Sequence, residues 1–136
     1  MLAKLPRPTR IALAVSAALC SSQILANPLG GQVISGSATI QSSGNQTTIN
    51  QSSNRAIINW QSFSIGNGER THFNQPSASS AVLNRVLGGN PSELLGALSA
   101  NGKVFIINPN GVLVGAGATI NTCLLYTSDA ADERSS

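Results

Sequence analysis

Between residues 27 and 122 the apolar residues of this 136-residue chain recur in short alternating runs, set among serine, asparagine, glutamine and glycine. Residues 37–41 and 47–51 alternate, 56–60 is a denser run, and 63–65, 71–74, 81–86 and 104–115 follow. Alternation with a period of two is the signature of a half-buried strand. Turn-forming residues separate the runs at 43–45, 66–68, 74–77, 88–91 and 101–102. A new strand is therefore expected roughly every 8–12 residues, with no long amphipathic helix in competition. One stretch reads two ways. Asn90, Pro91 and Glu93 suit a helix N-cap, first turn and N3 position, whereas Leu94, Gly96 and Leu98 alternate as an inward strand face does; the strand is favoured.

Such a rhythm fits a sandwich, a barrel or a β-solenoid. Two details favour the solenoid, with a sandwich as runner-up. Asn, Ser and Gln crowd the strand ends, where stacked coils can ladder their side chains. Leu83-Asn84 and Ile107-Asn108 also repeat an apolar-Asn junction 24 residues apart, close to one turn of a three-faced coil. The sharpest local pattern is Asn108-Pro109-Asn110-Gly111 between two β-branched runs. Pro109 suits the second position of a turn, and Asn110 and Gly111 tolerate positive φ. The pattern predicts a hairpin or a corner between two buried strands.

The two ends of the chain differ from its middle. Lys4, Arg7 and Arg10 precede an apolar stretch, 11–20, too short for a membrane span of about 20 residues. Small residues follow, the arrangement of a secretory signal peptide over 1–26 with cleavage between Ala26 and Asn27. From Cys123 onward the composition breaks, and the string 123–133 holds three of the five acidic residues. It looks like the conceptual translation of a transposon-end sequencing adapter. Residues 123–136 are therefore expected to be a library artefact joined to a truncated gene, with the natural protein continuing beyond Asn121. Without these ends, Arg55, Arg70, Arg85 and Lys103 face only Glu69 and Glu93. That balance offers no basic patch for nucleic acid. No cysteine is left to build a disulfide framework, despite the export signal.

Four ordered blocks carry a resemblance to a known family: 56–66, Leu83-Asn84-Arg85-Val86, 99–104 and Ile107-Asn108-Pro109-Asn110-Gly111-Val112. Over residues 27–122 the chain resembles the N-terminal part of the secretion domain of filamentous-haemagglutinin-type exoproteins, the two-partner secretion family. The resemblance implies a right-handed parallel β-helix with an N-terminal cap, here truncated. It also implies a non-enzymatic, secretion-targeting role in a large adhesin or haemagglutinin. After passage through the general secretion machinery, a dedicated outer-membrane β-barrel transporter would recognise the domain through periplasmic polypeptide-binding domains. The chain would then cross unfolded and fold outside a Gram-negative cell, secreted or at its surface. A passenger part beyond this segment would contact a host or neighbouring cell. Asn108, Pro109, Asn110 and Gly111 are then either read by the transporter or shape a corner, the corner being favoured. Asn74-Gln75-Pro76-Ser77 is the nearest counterpart of a second family block, Asn-Pro-Asn-Leu, and departs from it.

Other chemistry finds little support. His72 stands without Cys, Asp or Glu neighbours in sequence, and one ligand does not make a zinc site. Neither metal nor cofactor is expected. Two carboxylates, Glu69 and Glu93, are too few for the clustered acids of a polysaccharide-degrading β-helix, and no Gly-x-Ser-x-Gly elbow occurs. Trp60 reads as core or cap packing. The alternatives to an adhesin export domain are such a secreted enzyme, or the export module of a toxin whose active part lies outside this chain.

Overall fold

The computed structural model describes residues 26–128; the signal-peptide expectation for 1–25 and the last eight residues lie outside them. Three faces are visited in a fixed order. β3 (Gln46–Gln51), β5 (Arg70–Asn74), β8 (Ala97–Ala100) and β11 (Thr119–Asn121) stack in parallel as the first. The second stacks β4 (Arg55–Trp60), β6 (Ala81–Val86), β9 (Lys103–Ile107) and β12 (Leu124–Ser128). A short third face pairs β7 (Ser92–Leu94) with β10 (Val112–Val114), and Ile65 joins it through a parallel bridge to Leu94. From β3 on, successive strands belong to different sheets, and each pairs in parallel with its counterpart one coil later. This is an all-β solenoid of about four turns, and the sandwich alternative, which needs antiparallel sheets, falls away.

The first coil is closed differently. β1 (Gln32–Ser35) pairs antiparallel with β4, and β2 (Ala38–Ser43) pairs antiparallel with β3. An open edge of either sheet would present unpaired N–H and C=O groups to any other chain. The two antiparallel strands occupy both edges at once and form the expected N-terminal cap. Gly31 makes the approach possible: a Cβ there would stand 2.6 Å from Trp60 Cζ3 and 2.7 Å from Ile40 Cδ1.

Alternation places one side chain in two inside the coil. Ile49, Ile58, Trp60, Phe63, Ile65, Phe73, Val82, Leu94, Leu98, Val104 and Ile106 form one continuous buried core, each contributing about 1.5–3 kcal/mol when fully buried. Near the cap the core is aromatic. Trp60 and Phe63 meet edge to face at 5.3 Å, and Phe63 stacks over Phe73 at 6.4 Å.

Several expectations are met and some are corrected. The 81–86 run coincides with β6, and the ambiguous 90–95 stretch forms β7, with Ser92 and Leu94 facing inward. Residues 63–65 form no ladder, because Ser62 bridges Leu29 whereas Ile65 bridges Leu94. The 24-residue spacing of the apolar-Asn junctions is not the register: Asn84 pairs with Ile106, and Asn108 lies beyond it at a corner. The strand after that corner is not buried either. Leu113 points outward at 56% exposure, and Val114 is 45% exposed at the open end of the described stack.

Candidate functional site

The 104–115 segment turns the corner between the second and third faces. It is a corner and not a hairpin, since β9 pairs with β6 and β12 while β10 pairs with β7. The alternation that buries Val104 and Ile106 carries on to Asn108, which is fully enclosed. A buried amide needs partners, and Asn108 finds them on the preceding coil. Its Nδ2 donates to the Asn90 carbonyl and to Ser92 Oγ, each at 3.0 Å. Its Oδ1 accepts the Asn110 backbone N–H at 2.9 Å. The Gly111 N–H donates to the Asn108 carbonyl at 2.9 Å, closing a four-residue turn with Pro109 second, where its fixed φ fits.

Of these residues only Gly111 has positive φ, at 112°. Asn first, Pro second and Gly fourth is the type I preference, so the left-handed step falls on Gly111 and not on Asn110. Two more bonds tie the turn to the coil before it: Asn110 Nδ2 donates to the Gly88 carbonyl at 3.0 Å, and the Ser92 N–H donates to the Gly111 carbonyl at 2.9 Å. The motif thus divides. Asn108 is interior scaffolding, whereas Pro109 and Asn110 are exposed. Gly88, Asn90 and Ser92, which sequence reasoning left out of the site, are its partners; 88–91 signals a turn, but only coil register reveals what the turn supports.

Asn74, Gln75, Pro76 and Ser77 occupy a different corner, between the first and second faces, so the fold does not bring the two motifs together. Gln75 is buried and works as a rung. Its Nε2 donates to the Lys103 carbonyl at 3.3 Å, its Oε1 accepts the Gly102 N–H at 2.8 Å, and its own N–H donates to Asn101 Oδ1 at 2.9 Å. Gln51 does the same work one coil earlier, donating to the Ala81 carbonyl at 3.0 Å; Ala81 and Lys103 are register partners. Gln51 Oε1, however, is buried without a partner, because the Ser80 N–H that stands where Gly102 does is bound to the Ser77 carbonyl. Outside the coil Asn74 donates to Asn50 Oδ1 at 3.2 Å. Pro76 and Ser77 are exposed.

The remaining candidates are structural in their surroundings. Trp60 Nε1 donates to Asn84 Oδ1 at 2.8 Å in the core. His72 lies half-buried on β5 with Nδ1 2.7 Å from Ser99 Oγ. Glu69 is buried and accepts backbone N–H groups from Gly66 and Ala26, whereas Glu93 is exposed on β7. Among the described residues no three His, Cys, Asp or Glu gather as a metal site. Asn27 is buried, with Nδ2 donating to the Gly44 carbonyl at 2.8 Å.

The fold and its corners define a capped parallel β-solenoid whose polar side chains ladder from coil to coil. The comparisons with known proteins agree with that class. A family model described as the TPS secretion domain matches residues 24–133, and the chain belongs to this family, the secretion-targeting domains of large two-partner exoproteins. It is 44% identical over 107 residues to a heme/hemopexin-binding protein of Haemophilus influenzae (strain ATCC 51907 / DSM 11121 / KW20 / Rd), covering 79% of this chain and 12% of that protein. A second heme/hemopexin-binding protein of Haemophilus influenzae is 41% identical over 108 residues, with the same coverage. Among solved structures, the HMW1 secretion domain from Haemophilus influenzae superimposes with a TM-score of 0.67 at 47% identity, over 71% of this chain and 26% of that one. The chain therefore spans about an eighth of the length of the curated relatives it matches. TPS domains engage a cognate outer-membrane transporter, and their exoproteins leave Gram-negative cells across the outer membrane.

Proposed function

We propose that this domain, after cleavage between Ala26 and Asn27, is read by periplasmic polypeptide-binding domains of its transporter through exposed strand edges, and then nucleates the solenoid of a surface-exposed or released adhesin. The observation that carries this reading is the asymmetry of the stack within a TPS domain. Antiparallel β1 and β2 close one end, while β10 and β11 at the other continue the parallel stacking on β7 and β8. A following coil extends the parallel ladder at that end, whereas antiparallel strands interrupt it at the other. Pro109 and Asn110, exposed at the corner, are the motif atoms available to a partner.

Secretion of the full-length exoprotein by its transporter, with purified periplasmic domains of that transporter as a binding assay, tests the reading. Deleting residues 27–121 abolishes both secretion and binding; binding that survives the deletion sinks it. The names of the relatives favour a second reading of the passenger, a surface that captures heme or hemopexin, to be tested by heme titration of the whole exoprotein. The composition break at Cys123 supports reading 123–136 as a translated adapter; Leu-Leu-Tyr-Thr-Ser alternates well enough to add β12 as a rung. Sequencing the genomic locus past Asn121 checks it.

A further inference from the structure

The buried carboxylate of Glu69 is a site in search of a cation. Its side chain is 5% exposed. Oε1 accepts the Gly66 N–H at 2.7 Å and Oε2 accepts the Ala26 N–H at 2.9 Å. Among the described residues no side-chain cation pairs with it, and a buried carboxylate held only by neutral donors is a costly arrangement. We propose that Glu69 is the receiving site for the α-ammonium that signal-peptide removal creates at Asn27.

The inference rests on cleavage between Ala26 and Asn27. Hydrolysis there adds one water across the peptide bond, leaving a carboxylate on Ala26 and an amine on Asn27 that takes a proton from solvent. Ala26 departs with the N–H that Oε2 uses. The new ammonium brings three donors to a position one residue away, a Cα step of about 3.8 Å. It is also held in place, since Asn27 is 5% exposed and anchored to the Gly44 carbonyl at the β2–β3 turn. Processing thus exchanges a neutral donor for a charged one beneath the cap, and the mature chain closes its first coil more firmly than the precursor.

The test uses the processed full chain recovered from the periplasm, its N-terminus read by mass spectrometry and its α-amine titrated by NMR. The amine titrates at least one unit (tenfold) above its ordinary range of about 7.7–8.0, and E69Q returns it to that range. Carbamylating the α-amine lowers the melting temperature of the wild-type chain, a readout independent of whether E69Q folds. An ordinary amine in the wild type, an elevated one in E69Q, or an unchanged melting temperature overturns the proposal. So does a terminus other than Asn27, a result that leaves transporter recognition, scored by binding, untouched.

Discussion

Trp60 donates its indole N–H to Asn84 Oδ1 at 2.8 Å, from one coil to the next, with both side chains inside the solenoid. Asn84 stands between Ile58 and Ile106 in the inward column of the second face, an amide held between two isoleucines. Its Nδ2 goes to the Phe105 carbonyl at 3.2 Å, so the side chain ties three consecutive coils.

Asn84→Leu fills the column but strands a buried indole N–H. It is expected to cost about 1–3 kcal/mol. In Trp60→Phe/Asn84→Leu both partners become apolar and much of that loss returns. Denaturant midpoints of the singles and the double decide; additive losses sink the coupling.

The two halves of the turn motif separate in the same way. Asn108→Ala leaves Ser92, the Asn90 carbonyl and the Asn110 N–H without their bonds, and is expected to cost about 2–3 kcal/mol. Gly111→Val forces a β-branched residue to φ 112° and costs about 1–3 kcal/mol. Pro109→Ala and Asn110→Ala, on exposed side chains, are expected to cost about 1 kcal/mol or less. Secretion that fails in these last two while melting is preserved marks direct reading by the transporter. Secretion that follows stability in all four leaves the motif as a corner.

Gln75 and Gln51 form an internal comparison. Gln75→Leu strands the Gly102 N–H and the Lys103 carbonyl, whereas Gln51→Leu frees only the Ser53 and Ala81 carbonyls and also removes a buried Oε1 that has no partner. The first is expected to be more destabilising, by about 1 kcal/mol. Equal unfolding midpoints refute the ladder assignment.

The cap depends on a close approach. Gly31→Ala drives a methyl into the Trp60 ring, and overpacking of this kind typically costs about 1–3 kcal/mol. Tryptophan fluorescence should shift with it; an unchanged spectrum and midpoint argue that β1 does not seat on the ring.

Much of the architecture is written in alternation. Runs such as 81–86 and 56–60 carry their own burial pattern, and Asn108-Pro109-Asn110-Gly111 specifies its turn through Pro and Gly. What escapes the sequence is whatever depends on register between coils. Coil lengths vary, as Gln46 pairs with Arg70 and Ala97 with Thr119, so no fixed period aligns Asn84 with Asn108. The partners Gly88, Asn90 and Ser92 are invisible for the same reason. The burial of Glu69, a charged residue beside a Gly-Asn-Gly turn, runs against local expectation and shows only once the cap folds over it.

The nearest-neighbour character of the ladders has a consequence for how the molecule fails. Each strand touches the coil before and the coil after, so stability accrues link by link, as in a one-dimensional array. A lesion at Asn108 should therefore not melt the whole molecule. It should divide it into an intact capped block around Trp60 and a loosened block beyond β9, visible as two unfolding steps in place of one.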